Sequence, residues 1–103
     1  MEKNTPHYDL AVVKEDVRRL GRDAFTGSAK SDAWRMGFSV IAMQEVIYKL
    51  QRSMLYKSMT TYDDHRVWQD VYHIKSDGLE IYIKVTYRPG GLPPVISFKE
   101  NNS

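Results

Sequence analysis

The residues best suited to chemistry lie along one face of a predicted strand near the carboxyl end of the chain. Apolar and polar side chains alternate strictly over residues 79–88, which is the pattern of a strand with one buried face. The polar positions of this strand are Glu80, Tyr82, Lys84, Thr86 and Arg88, of which the last four could act together. A second predicted strand, over residues 95–99, adds Ser97 and Lys99 to the same face. Because cations neutralise phosphate charge and aromatic rings stack on bases, this face suits an anionic substrate; the alternative is an ordinary solvated surface.

For a third strand, predicted over residues 67–74, the sequence does not decide which of the two faces is buried in the core. With Gln69 on the polar face, the aromatic rings of Trp68 and Tyr72 enter the core. Asp70 is then buried as well, and a buried carboxylate must accept hydrogen bonds or pair with a cation. This orientation therefore requires donors for Asp70 that the strand itself does not supply.

The sequence gives little indication of a metal site or of a nucleophilic catalytic side chain. The segment Asp63-Asp64-His65, with Asp70 and His73, contains residue types of a metal site, but adjacent residues in a turn rarely converge on one ion. The chain has no cysteine, which excludes a thiolate nucleophile and Cys-ligated zinc or iron–sulfur centres. A serine hydrolase is also unsupported, because no serine lies in a G-x-S-x-G motif. We expect neither a metal ion nor a cofactor.

Length and composition limit the architecture that must position these residues. With 103 residues, 42% of them hydrophobic, the chain has the size and composition of one globular domain, predicted over residues 1–103. Its net charge of +2 does not by itself indicate a nucleic-acid binder. No apolar run approaches the roughly 20 residues of a membrane helix, and the start lacks the apolar segment of a secretion signal. We expect a soluble cytoplasmic protein without membrane contacts.

The first half of the chain predicts helices. An apolar stripe at helical spacing runs over residues 10–20, with Asp9 as N-cap and Gly21 as terminator. Ser28 is expected to cap a second helix that runs through residue 36, and Ser39 a third, whose stripe extends to residue 50.

The second half predicts strands joined by turns. Besides the three strands already described, residues 56–62 are expected to be extended, Ser76-Asp77-Gly78 to form a hairpin turn, and residues 88–94 to form a turn. Residues 101–103 are expected to be a frayed end. Helices followed by hairpin-linked strands define an α+β class with helices covering an antiparallel sheet.

Several segments of the chain also resemble a known family. They are Leu55-Tyr56-Lys57-Ser58-Met59-Thr60-Thr61-Tyr62, Asp64-His65 and Trp68-Gln69-Asp70-Val71-Tyr72, with the start Met1-Glu2-Lys3 and Thr5-Pro6-His7 and the ending Val95-Ile96-Ser97-Phe98-Lys99-Glu100. This pattern resembles the MqsR family, the motility quorum-sensing regulator toxins of bacterial type II toxin–antitoxin systems. The similarity spans nearly the whole chain.

The resemblance implies a RelE-like twisted antiparallel sheet packed against N-terminal helices. It also implies a metal-independent endoribonuclease that cleaves single-stranded mRNA at short GCU-like sites. Its partners would be the mRNA substrate and a cognate antitoxin encoded by an adjacent gene, and the toxin itself is not expected to bind DNA directly. The catalytic residues of the family correspond here to Lys57, Gln69, Tyr82 and Lys99. We assign Tyr56, Lys84 and Arg88 to substrate binding.

The chain departs from the family pattern at a few positions. His73-Ile74 stand where Arg-Pro is usual, and Ala24 and Gly27 stand where arginines are common. The turn from Pro89 to Pro94 is longer than usual. These changes leave the four catalytic positions intact and bear on substrate contacts and cleavage-site preference.

A mechanism follows for the four catalytic positions as a hypothesis. None of them is a histidine, so Lys57 and Lys99 would stabilise the charged phosphorane, and one of them would act as base. Tyr82 would act as acid or stack on a base, and Gln69 would orient the phosphate or a nucleobase. Two other functions stay open: a non-catalytic RNA- or protein-binding domain on the same scaffold, and a small metalloenzyme built on Asp63-Asp64-His65.

Overall fold

The computed structural model describes residues 1–101, which form an α+β arrangement as the sequence predicts. The helices are α1 Leu10–Leu20, α2 Gly27–Arg35 and α3 Val40–Tyr48, with short 3-10 turns at Gly21–Ala24 and Arg52–Met54. The strands are β1 Glu2–Lys3, β2 Leu55–Thr60, β3 Trp68–Ser76, β4 Leu79–Thr86 and β5 Val95–Glu100. They form one antiparallel sheet in the order β1-β2-β3-β4-β5. Of the predicted frayed end, residues 102 and 103 lie outside the described part.

The caps of α1 and α3 are the predicted ones. The Asp9 carboxylate accepts the backbone N–H of Ala11 at 2.9 Å, which satisfies one of the free donors at the start of α1. Gly21 ends that helix with a φ of 59°, a conformation that costs glycine little. The Ser39 hydroxyl accepts the N–H of Ala42 at 3.1 Å at the start of α3. Over the described residues, no helix is long and apolar enough to cross a bilayer.

The prediction of Ser28 as the cap of α2 is wrong. Thr26 is the N-cap, and its hydroxyl accepts the N–H of Ala29 at 3.0 Å. The reason is tertiary: the N–H of Thr26 donates to the carbonyl of Ile96 at 3.2 Å, and Phe25 forms a parallel bridge with the same residue. The chain leaves this extended contact with β5 and turns directly into the helix, two residues before Ser28.

The β3–β4 hairpin sets the register of the sheet. Asp77 and Gly78 both have positive φ, 54° and 77°, which is the two-residue turn whose twist matches that of paired strands. The ladder begins at the pair Ser76 and Leu79 and continues to Gln69 opposite Thr86. Strand β1, which the sequence did not predict, is two residues long and pairs with the end of β2.

The alternating apolar residues of the second half bury against the helices. Ile81, Ile83 and Val85 of β4 are fully buried, as are Ile96 and Phe98 of β5. The helices contribute a matching apolar set: Val13, Val17, Ala29, Ala33, Met43, Val46 and Ile47. Because full burial of one branched aliphatic side chain stabilises by about 1.5–3 kcal/mol, this packing fixes which face of the sheet is covered.

The outer edge of β5 is covered rather than exposed. Helix α2 lies against β5 and buries Ala29 and Ala33, and Phe38 meets Phe98 edge to face at 5.6 Å between ring centroids. Covering an edge in this way prevents pairing with a further strand. It also brings the start of α2 to the rim of the opposite face of the sheet.

Asp70 is buried and faces the helices, as Gln69 on the polar face requires. It is 1% exposed, and its carboxylate accepts the hydroxyl of Ser58 at 2.6 Å. The backbone N–H groups of His7 and Tyr8 donate to the same carboxylate at 2.9–3.0 Å. The N-terminal segment therefore supplies the donors that β3 lacks, and Asp70 joins this segment, β2 and β3 at one point.

Replacement of Asp70 should therefore cost far more stability than replacement of an exposed aspartate. Asp70→Ala leaves the Ser58 hydroxyl and two backbone N–H groups without their acceptor, and we expect the free energy of unfolding to fall by about 3 kcal/mol. Asp70→Asn keeps one oxygen acceptor and should cost less. Urea denaturation measures both, with Asp23→Ala as the exposed control, expected to stay within about 0.5 kcal/mol of the parent protein. Equal losses for Asp70→Ala and Asp23→Ala would contradict this role for Asp70.

Candidate active site

The side of the sheet opposite the helices, which we call the open face, carries the predicted site residues. Pairing across the strands places His73 opposite Tyr82 and Tyr82 opposite Lys99 in one row. The open face comprises Lys57 and Met59 of β2, Gln69, Val71, His73 and Lys75 of β3, Glu80, Tyr82, Lys84 and Thr86 of β4, and Val95, Ser97 and Lys99 of β5. The predicted catalytic residues thus share one surface, although they come from four strands.

A β-bulge in β2 adds Tyr56 to this surface. Leu55 pairs with Tyr72 and Lys57 pairs with Val71, so Tyr56 is an extra residue between two ladder pairs. In a regular strand the side chain before Lys57 would point to the opposite side, towards the helices. A bulge instead directs two consecutive side chains, here those of Tyr56 and Lys57, to the same side. Tyr56 and Lys57 therefore both lie on the open face.

Three aromatic rings, from Tyr56, His73 and Tyr82, form a cluster that we call the Tyr–His–Tyr cluster. The rings of Tyr56 and His73 are stacked, with centroids 4.5 Å apart and planes 15° apart. The Tyr82 ring is tilted by 42° from that of His73, at 5.8 Å between centroids. A cation flanks each end: Lys57 Nζ lies 5.5 Å from the centroid of Tyr56, and Lys99 Nζ lies 4.8 Å from that of Tyr82.

Within this cluster, Tyr82 is the phenol whose pKa is shifted by its surroundings. Burial raises its pKa above the ordinary value, and the neighbouring Lys57 cation opposes part of that rise. A phenol with a raised pKa keeps its proton at neutral pH, so the Tyr82 hydroxyl is present there as a hydrogen-bond donor. Lys57 also forms a partly exposed ion pair with Glu2, at 3.6 Å between Nζ and Oε1.

Gln69 lies at the other end of the open face. Gln69 is opposite Thr86, which is four residues from Tyr82 along β4. At the usual rise of a strand, Gln69 and Tyr82 are therefore about 13 Å apart along the sheet. Gln69, Lys84 and Arg88 line a cavity of about 500 Å³ with Ser97, part of the loop over residues 61–67 and the turn after β4. We call it the glutamine cavity. Lys84 and Ser97 also line a smaller cavity of about 230 Å³ next to Tyr82 and Lys99, so these two residues connect the two ends of the open face.

Arg88 reaches the glutamine cavity from outside the sheet, because β4 ends at Thr86 and not at residue 88 as predicted. The following residue, Tyr87, is anchored by its hydroxyl, which donates to Asp16 of α1 at 2.6 Å. That hydrogen bond holds the pKa of Asp16 below its ordinary value. The anchored Tyr87 fixes the base of the turn that carries Arg88.

The segment Asp63-Asp64-His65 forms a loop at the rim of the glutamine cavity. The Asp64 carboxylate is bound by Arg66, at 3.1 Å from Nε and 3.1 Å from Nη2, and these bonds lower the pKa of Asp64. The other predicted partners of a metal site lie elsewhere: Asp70 faces the helices, and His73 lies in the Tyr–His–Tyr cluster. Among residues 1–101, no three His, Asp or Glu side chains are grouped so that they could hold a metal ion.

His73 also lies on this surface, although the sequence pattern indicated it only as a candidate metal ligand. Its signal was present, because residues 69, 71 and 73 share one face of a strand, and assigning Gln69 to the open face assigns His73 with it. The stacking of His73 on Tyr56 was not visible in the sequence, since it depends on the bulge in β2.

The fold and this surface define a class of small α+β protein whose sheet presents ammonium, phenol and imidazole groups on one open face. A family model described as "Motility quorum-sensing regulator, toxin of MqsA" matches residues 5–100. The chain is also 43% identical over 100 residues to the Escherichia coli (strain K12) protein "mRNA interferase toxin MqsR", and the match covers 97% of this chain and 99% of that protein. The chain therefore belongs to the MqsR toxin family, which confirms the resemblance seen in its sequence.

The pKa of Tyr82 tests the placement of Lys57 in the site. Lys57→Met removes a cation that stabilises the phenolate, so the pKa of Tyr82 should rise further above its ordinary value. NMR titration of the tyrosine ring carbons in alkaline solution measures this shift. Lys49→Met, which removes an exposed cation at the end of α3, should leave the Tyr82 titration unchanged. A Tyr82 pKa that falls or stays constant in Lys57→Met would contradict this geometry.

Proposed function

We propose that this chain is the toxin of a toxin–antitoxin pair and that its open face cleaves single-stranded mRNA, which arrests translation and growth. One observation carries the proposal: Lys57, Tyr82 and Lys99 come from three different strands and meet around the Tyr–His–Tyr cluster. The name of the Escherichia coli relative, an mRNA interferase toxin, supports the same activity. Short GCU-like cleavage sites follow from the family resemblance.

The chemistry we propose uses the nucleophile that RNA itself carries. The 2′-oxygen attacks the adjacent phosphorus, and the bond to the 5′-oxygen breaks. Lys57 and Lys99 lie on either side of the cluster and would stabilise the charge that develops on the phosphorane. Tyr82, protonated at neutral pH, would donate a proton to the leaving 5′-oxygen.

Gln69 and the substrate-binding residues have a different task in this proposal. Because Gln69 lies about 13 Å along the sheet from Tyr82, we assign it to a nucleobase next to the cleavage site rather than to the scissile phosphate. Its amide offers both a donor and an acceptor to a base edge. Lys84 and Arg88 would hold phosphates along the path between the two sites, and Tyr56 would stack on a base.

Membership of the family implies an antitoxin partner, since the family description calls its members the toxin of MqsA. We propose that this antitoxin is encoded by an adjacent gene and that the toxin itself does not bind DNA. The proposed site of action is the cytoplasm, where mRNA is translated. The binding-only alternative on the same scaffold would retain RNA affinity without turnover, so a cleavage assay separates the two.

Loss of Lys99 should abolish most of the activity while leaving the fold intact. Lys99 is exposed, so its truncation costs little stability, whereas loss of one charge-stabilising group typically slows such chemistry by about 100-fold or more. Lys99→Ala should therefore fail to arrest growth when it is expressed without antitoxin, and primer extension should show no new 5′ ends in cellular mRNA. Lys49→Ala is the matched control and should remain toxic. A folded Lys99→Ala that arrests growth fully would refute this role.

Cleavage should not require a divalent metal ion. Cations occupy the positions at which a metal-dependent nuclease gathers carboxylates, and the Asp32 carboxylate, which lines the cavity beside Lys99, is already paired with Arg35 at 2.8 Å. Activity should persist in excess EDTA and should leave a 2′,3′-cyclic phosphate and a free 5′-hydroxyl. An RNA with one 2′-deoxy residue just before the scissile phosphate should resist cleavage. Loss of activity in EDTA, or normal cleavage of the deoxy substrate, would contradict this mechanism.

A further inference from the structure

His73 occupies the centre of the site without a role in the mechanism described so far. It lies in the same cross-strand row as Tyr82 and Lys99. One face of its ring is covered by Tyr56, with the two planes only 15° apart. Because the nitrogens of an imidazole lie in the ring plane, this stacking leaves them at the edge of the stack, where a bound substrate can reach them.

The groups around His73 come from every neighbouring strand. Strand β2 presents Tyr56 and Lys57, with Glu2 of β1 paired to that lysine. Strand β4 presents Tyr82, and β5 presents Lys99. The next row of the open face adds Lys75 and Glu80, which are opposite each other on β3 and β4. The site thus surrounds one imidazole with two phenols and several ammonium groups.

A base is the component that the proposed mechanism lacks. The ammonium groups carry the charge that stabilises the phosphorane, and a protonated ammonium cannot also accept a proton. Tyr82 is protonated and serves as the donor. Imidazole is the side chain that ordinarily accepts and releases protons near neutral pH. Its position between the two cations places it next to the phosphate that they would bind.

We propose that His73 is the general base that accepts the proton of the RNA 2′-hydroxyl, an inference that rests on the proposed endoribonuclease function. His73 thus takes the role of base that we predicted from the sequence for Lys57 or Lys99. This role makes His73 a catalytic residue, in contact with the reacting 2′-oxygen.

Residues of the Tyr–His–Tyr cluster accept and supply every proton that moves in this step. A ring nitrogen of His73 takes the proton of the 2′-hydroxyl as its oxygen bonds to phosphorus. The bond from phosphorus to the 5′-oxygen breaks, and the Tyr82 hydroxyl gives its proton to that oxygen. The products are a 2′,3′-cyclic phosphate and a 5′-hydroxyl, together with an imidazolium and a phenolate. The rings of His73 and Tyr82 are neighbours, with centroids 5.8 Å apart, so the imidazolium can return its proton to the phenolate through water, which restores both residues.

The decisive experiment separates a base from an acid by changing the leaving group. Single-turnover cleavage is measured on an ordinary RNA and on the same RNA with sulfur in place of the 5′-oxygen at the scissile bond. A sulfur leaving group needs no proton, so removal of the acid is tolerated and removal of the base is not. The variants are His73→Phe, which keeps the ring that stacks on Tyr56, and Tyr82→Phe. His65→Phe, in the exposed loop over residues 61–67, is the control.

We expect His73→Phe to cleave both substrates about 100-fold or more slowly than the wild type, the usual contribution of a general base. Tyr82→Phe should be slow on ordinary RNA and close to the wild-type rate on the sulfur substrate. His65→Phe should match the wild type on both. A folded His73→Phe that cleaves ordinary RNA within about threefold of the wild-type rate, or one restored by the sulfur substrate, overturns the proposal.

The pH profile of the wild type gives a second, independent measurement should His73→Phe fail to fold. A base must be neutral to accept a proton, so the single-turnover rate should fall by about tenfold per pH unit once the solution is acidic enough to protonate the base. A rate independent of pH from about 5 to 8 overturns the assignment of His73. In both cases the wild type still cleaves RNA, and the proposed function stands. A wild type that cleaves neither substrate contradicts the proposed function itself.

Discussion

The buried carboxylate of Asp70 is the constraint on which the rest of this structure depends. A strand has two faces, and a shift by one residue would exchange them. Asp70 finds its donors on the covered side, from Ser58 and from the backbone of His7 and Tyr8. This choice turns Gln69 and His73 to the open face. One satisfied carboxylate therefore decides which side chains of β3 can meet a substrate.

The bulge in β2 is the second determinant of the site. It brings Tyr56 to the side of Lys57 and gives His73 a stacking partner. The cluster that results has an aromatic centre and cationic ends. Such an arrangement addresses two parts of a nucleotide at once, because bases stack on rings and phosphates bind ammonium groups. Neither part alone would distinguish RNA from any other polyanion or aromatic ligand.

Much of this architecture was readable from the sequence because it follows from local rules. Strict alternation over residues 79–86 identified the faces of β4, and side-chain caps at Asp9 and Ser39 marked two helix starts. What could not be read depends on contacts distant in sequence. The start of α2 at Thr26 is set by β5, seventy residues further along the chain at Ile96. Likewise, β1 is too short to show a pattern of its own.

The candidate site divides in the same way. The shared face of Tyr82, Lys84 and Lys99 follows from period-two alternation alone. The position of Lys57 beside them came only from the family resemblance, because the segment around it shows no clear alternation. The open-face position of His73 follows from that of Gln69, whereas its stacking on Tyr56 depends on the bulge and so required the three-dimensional structure.

Because β1 is short, the two sides of the site, β2 and β5, are not held equally firmly by their neighbours. Its two residues pair with Met59 and Ser58 and stop there, so the stretch of β2 that carries Tyr56 and Lys57 is hydrogen-bonded to β3 on one side only. On the opposite side, β5 is held by α2 and by the bridge to Phe25. Local opening should therefore begin at the bulge, where amide hydrogens exchange with solvent sooner than those of β4. An RNA strand that binds in the site would therefore contact a rigid strand at Lys99 and a more flexible strand at Lys57.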